Sequence, residues 1–136
     1  MISYRKKIVL GGVLFLLVAC SGCGKNGAGR STLSGKVTFG GQPIPYGTIC
    51  FTPDSSKGNK GPQGFAKIVD GEYSTDKEGK GTVTGPIVVQ IMGFSEKPDT
   101  GDEENSTPLF PRYETKIDLP EGTATKDFNV PADGAK

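Results

Sequence analysis

After residue 32 the hydrophobic and polar residues of the chain alternate with a period of two. Leu33, Gly35, Val37 and Phe39 share one parity, Ser34, Lys36 and Thr38 take the other, and Gly40-Gly41 closes the run. This predicts a half-buried strand and a turn, with Val37 in the core. Pro43-Ile44-Pro45 forbids helix, and Ile49 and Phe51 then alternate with Thr48, Cys50 and Thr52 until Pro53 ends a second strand. Residues 54–64 form a polar loop. Residues 66–69 and 72–75 flank Asp70-Gly71, a pair that tolerates positive φ, so a hairpin with a type I′ turn is predicted. The Gly-rich turn 78–81 leads through Val83 to Ile-Val-Val-Gln-Ile-Met at 87–92, which is apolar on both parities and reads as a central strand with Val89 buried. Residues 95–108 lack periodicity and read as a mobile loop. Ile117 and Leu119 alternate with Lys116 and Asp118, Pro120-Glu121-Gly122 turns the chain, and Phe128 and Val130 mark a last strand. About seven strands with no helix predict an antiparallel β-sandwich of the Ig-like kind.

The first 32 residues follow no such pattern. Arg5, Lys6 and Lys7 precede an unbroken apolar or Gly run over 8–19, and small residues come next. That is the form of a cleaved signal peptide over 1–19, since the run is well short of the ~20 residues a spanning helix needs. Residues 20–32 offer almost no core side chain and read as a flexible tether, which places the folded domain at 33–131 and a short tail at 132–136.

Composition narrows the chemistry. The chain has 136 residues and no His or Trp, which excludes Ser-His-Asp and Cys-His catalysis and the usual zinc and haem ligand sets. Lys plus Arg number 16 against 15 Asp plus Glu; without residues 1–19, which hold three cations and no acid, 13 stand against 15, a net −2. No basic field suits a phosphate backbone, so nucleic acid is not an expected partner. Cofactors and metals are not expected either. Asp99, Asp102, Glu103 and Glu104 are close enough to gather oxygen ligands but match no calcium-loop spacing, so a solvated acidic loop is expected. Tyr46, Tyr73, Phe110 and Tyr113 could stack on sugars, although in a chain this poor in large apolar residues core packing is the stronger reading. Gly79-Lys80-Gly81 lacks the strand-to-helix setting of a phosphate cradle.

Two resemblances add to this. Leu17-Val18-Ala19-Cys20 resembles the lipobox of bacterial lipoproteins, with Cys23 after Cys20-Ser21-Gly22 as the weaker alternative. The resemblance implies acylation of Cys20, cleavage before it and membrane tethering at the cell envelope. Ser21 in place of an Asp retention signal points to an outer membrane where one exists. The stretch 33–53, with Gly35-Lys36-Val37, Gly40-Gly41 and Ile49-Cys50-Phe51, resembles the opening of carboxypeptidase regulatory-like, or transthyretin-like, domains. The stretches 66–73 and 85–93 are similar to that family's second hairpin and later strand, with Ile87 where Tyr is commoner. The resemblance implies a β-sandwich and no activity. Its metallopeptidase and hydroxyisourate hydrolase relatives use His residues this chain lacks, so no catalytic residue is expected. The expected role is a non-enzymatic structural or protein-interaction module, the alternative being a carbohydrate- or small-ligand-binding module. Envelope proteins or glycans are then the expected partners. A Cys23–Cys50 disulfide is not expected, because Cys50 is on the parity opposite Ile49 and Phe51.

Overall fold

The computed structural model describes residues 30–99 and 106–133; the segment expected to be a signal peptide, Cys20, Cys23, Asp102, Glu103, Glu104 and residues 134–136 lie outside the described residues. The protein is all-β. Its strands are β1 (Arg30–Phe39), β2 (Gln42–Pro43), β3 (Tyr46–Pro53), β4 (Gly64–Val69), β5 (Glu72–Ser74), β6 (Gly79–Lys80), β7 (Thr82–Val83), β8 (Gly85–Phe94), β9 (Tyr113–Leu119), β10 (Thr123–Thr125) and β11 (Phe128–Val130), with one 3₁₀ turn at Ser55–Lys57. Seven of them make a continuous sheet in the order β10-β1-β5-β4-β3-β8-β9, and β2, β6, β7 and β11 are short ladders off that path.

A sheet with one apolar face and no covering helix must bury that face against itself, and strand twist supplies the curl. The chain shows how far the curl goes. Leu119 ends β9 at one edge of the order and Thr123 starts β10 at the other, with only Pro120, Glu121 and Gly122 between. Four Cα steps span at most ~14 Å, so the two edges lie side by side and the sheet forms a sandwich-like half-barrel. Inside are Leu33, Val37, Ile49, Phe51, Ile68, Ile87, Val89 and Ile91, all essentially inaccessible. Burying each such side chain contributes ~1.5–3 kcal/mol.

The Asp70-Gly71 hairpin forms as expected, with φ of 51° and 76°. Its amides reach outside the hairpin, Asp70 N donating to Pro45 O and Gly71 N to Ile44 O, which fixes the turn against the connection into β3. The 87–92 segment lies within β8, between β3 and β9, also as expected.

Two features go beyond the expectations. Strand β1 starts at Arg30, three residues before the alternation that begins at Leu33. Ser31 is fully buried and its Oγ donates to Pro120 O at 2.7 Å, while Thr32 N donates to Gly122 O at 3.0 Å. Ser and Thr carry no apolar alternation, so backbone pairing there left no signal. The sheet is antiparallel as expected, apart from two short ladders in which β10 and β11 run parallel to β1, with Thr32 opposite Thr123 and Val37 opposite Phe128. The chain crosses from one sheet edge to the other after β9, and that closure reverses the direction expected of a hairpin.

Gly35 marks the point at which β1 exchanges β10 for β11. A Cβ there would stand 2.1 Å from Lys126 O and 2.9 Å from Asp127 Oδ1. The close approach lets Lys126 N donate to Ser34 O at 2.9 Å and Lys36 N donate to Asp127 Oδ1 at 2.8 Å. At the far end of the barrel Gly93 leaves room for the Phe110 ring, which stacks at 4.9 Å on Phe39 and covers the core.

Gly35→Ala is expected to lower stability by ~1–3 kcal/mol through overpacking against Lys126, read as a drop in the thermal midpoint. Shortening the chain to start at Leu33 instead of Arg30 should lower the midpoint by about 4–8 °C for each kcal/mol of lost pairing.

Candidate functional site

Strand alternation turns Ser34 and Lys36 of β1, Glu72 and Ser74 of β5, and Lys67 and Val69 of β4 away from the core. Because β1, β5 and β4 are neighbours, these side chains share the outer face. On that face lies a shallow, saddle-like depression of about 750 Å³, bounded by Asp70, Lys77, Glu78, Thr125 and Asp127. Lys67 is held in place, its Nζ donating to the Tyr46 hydroxyl at 2.9 Å and standing 5.5 Å from that ring's centroid. Lys36, Lys77, Glu72 and Glu78 have no salt-bridge partner among the described residues. Val69 is 44% exposed in this polar setting.

Beneath the saddle, Tyr73 closes the floor. Its ring packs between Phe51 and Phe128, and its hydroxyl donates to Lys126 O at 2.7 Å. Burial, reinforced by the Asp127 carboxylate, pushes the phenol well above its ordinary range. Tyr73 therefore stays protonated and acts as a fixed donor joining β5 to the crossing at Gly35.

A second ordered cluster holds the loop after β3. Asp54 is buried; its Oδ1 accepts from the Ser56 amide and hydroxyl, and its Oδ2 meets Lys116 Nζ of β9 at 3.1 Å. Asn59 Nδ2 donates to Thr84 O at 3.0 Å and to Pro86 O at 2.7 Å, closing the same loop onto β8. The Ser56 hydroxyl first, and Lys116 second, hold the Asp54 carboxyl below its ordinary value. Both carboxylate oxygens face an internal donor, which makes this a structural knot.

The saddle offers ammonium and carboxylate groups, hydroxyls and one apolar side chain. Among the described residues no group of three His, Cys, Asp or Glu side chains is placed to hold a metal ion. Tyr46, Tyr73 and Phe110 are buried and Tyr113 is half-buried, so the four aromatics do not form an exposed stacking face. Asp99 is exposed, while its acidic neighbours lie outside the described residues. Cys50 is half-buried on the outer face, as its parity predicts, and Cys23 lies outside the described residues. No signal in the sequence pointed to Lys36, Lys67 and Lys77 as a group; Lys36 and Lys67 fall on a polar parity and Lys77 in a turn, and only the sheet order brings them together.

No protein-family model matches the chain, and no curated protein matches it in sequence.

The Asp54 knot has a pH signature. Because the folded carboxyl titrates below the ordinary 3.8, its stabilisation is present above that value and is lost as the pH falls through the folded one. The thermal midpoint should thus fall between about pH 5 and about pH 2, and Asp54→Asn should fall less over the same range. Equal acid sensitivity in the two proteins would show that Asp54 is not the responsible group.

Proposed function

We propose that the chain is a non-enzymatic, lipid-anchored module of the cell envelope, tethered to the membrane through acylated Cys20, whose β domain has a structural or protein-interaction role. The lipobox-like Leu17-Val18-Ala19-Cys20 supports the anchor, and the cationic start and apolar run before it support export. The resemblance of 33–130 to carboxypeptidase regulatory-like domains supports a binding or spacer domain without chemistry of its own. One observation carries the interaction role: a shallow depression in which exposed Val69 stands among Lys36, Lys77, Glu72 and Glu78, none of which has an internal salt-bridge partner among the described residues. Interfaces use such a pattern, apolar contact inside a charged surround that sets orientation and specificity. A glycan ligand would need an exposed aromatic platform, and burial of Tyr46, Tyr73 and Phe110 argues for a polypeptide instead.

Two measurements test the reading. The N-terminal peptide of the exported protein should begin at Cys20 and carry acyl chains; an unmodified Cys20 overturns the anchor. A photo-cross-linking side chain at Val69 or Lys77 should give a discrete adduct in cells, and one at Glu114, exposed on β9, should not. Identical patterns from both faces, or none from either, would remove the saddle as an interaction surface.

A further inference from the structure

The strand directions place four exposed cations, Arg30, Lys57, Lys60 and Lys80, at one end. β1, β4, β8 and β10 begin there and β3 and β9 finish there, as the pairing directions require. Arg30 opens β1 opposite Val83 of β7. Gly61, next to Lys60, lies against Val83, and Gly81, next to Lys80, lies against the Ser31 carbonyl and the Arg30 side chain. Lys57 ends the 3₁₀ turn of the same loop. Arg30, Lys57, Lys60 and Lys80 are all exposed, and none is in an ion pair among the described residues. The buried acid at this end, Asp54, is engaged by Ser56 and Lys116, which leaves Asp118, Glu121 and, in the turn before Lys80, Glu78. Phe65, 44% exposed, stands opposite Lys80 and adds an apolar ring to the same end.

The other end has the reverse sign. Asp70 and Glu72 stand at the hairpin turn, Glu96 and Asp99 follow β8, and Asp133 follows β11, against Lys97, Arg112 and Lys36, which lies opposite Glu72. The domain is thus polarised along its strands although its net charge is small.

We propose that the Arg30 end is a membrane-facing surface that rests on anionic lipid headgroups, with the saddle and the acidic end turned outward. The proposal rests on the anchor reading above and deepens it. Cys20 precedes Arg30 by ten residues, a stretch that spans at most ~35 Å, so acyl chains on Cys20 would keep this end near the bilayer. A tether alone permits any tilt. The charge separation selects one, because basic side chains near an anionic surface each favour association by roughly fivefold and the attraction decays within about 8 Å. The inverted orientation would press Asp70, Glu72 and Glu96 toward the same negative surface.

Lysine acetylation read by mass spectrometry tests this on the full chain as cells process it, reconstituted in phosphatidylcholine vesicles with or without about 30 mol % phosphatidylglycerol. Lys57, Lys60 and Lys80 should react several-fold more slowly in the anionic vesicles, with the protection lost in about 1 M NaCl, while Lys36, Lys97 and Lys126 keep their rates. Even labelling at both ends, or slowing at Lys97 instead, overturns the orientation. Flotation and the mass of the N-terminal peptide report the anchor separately. A chain that floats on neutral vesicles yet labels evenly keeps the anchor and loses the proposed face; a chain that does not float on them loses the anchor and the proposal with it.

Discussion

Five strands hydrogen-bond to β1, which makes this one segment the constraint on which the half-barrel depends. Its amides find partners that strand pairing alone would not supply. Leu33 N bonds the Thr75 hydroxyl, Lys36 N the Asp127 carboxylate, Val37 N the Gly71 carbonyl and Thr32 N the Gly122 carbonyl. Ordering β1 therefore orders four separate turns. A buried amide left unpaired costs ~1–3 kcal/mol, so these turns cannot loosen singly without penalty. Gly35 is the pivot, since only a residue without Cβ lets Lys126 approach while β1 changes partner.

The two surfaces of interest follow from that closure. Curling the sheet around β1 sets β5 and β4 beside it, and their outward side chains become the saddle of Lys36, Lys67, Glu72 and Val69. The same closure brings the start of β1 next to the loop after β3 and the β6–β7 turn, collecting Arg30, Lys57, Lys60 and Lys80. Asp54 and Lys116 hold that loop on β9, so the cations stand on an ordered support. The cationic end and the saddle thus lie at different places on the same sheet.

Strand existence was legible wherever apolar side chains alternate. Val37, Ile49, Phe51 and Val89 were read as core from parity and are fully buried, and Asp70-Gly71 announced its turn through the φ it requires. The start of β1 was hidden because Ser31 and Thr32 are held by backbone and hydroxyl bonds, which leave no hydropathy pattern. β10, Thr-Ala-Thr, was hidden for the same reason. Parallel pairing of β10 and β11 with β1 was not legible, because local turn chemistry does not record which sheet edge a strand will join. The saddle stayed invisible as a consequence: its residues come from strands whose adjacency is a property of the closed sheet.

Amide hydrogen exchange of the domain tests the role of β1 directly. If β1 is the hub, the amides of Leu33, Lys36 and Val37 exchange only through global unfolding, with the same free energy as the central amides of β3 and β8. That outcome is expected even though three of the acceptors belong to turns or side chains. Exchange of the β1 amides in a separate, lower-energy opening while β3 and β8 stay protected would contradict the account.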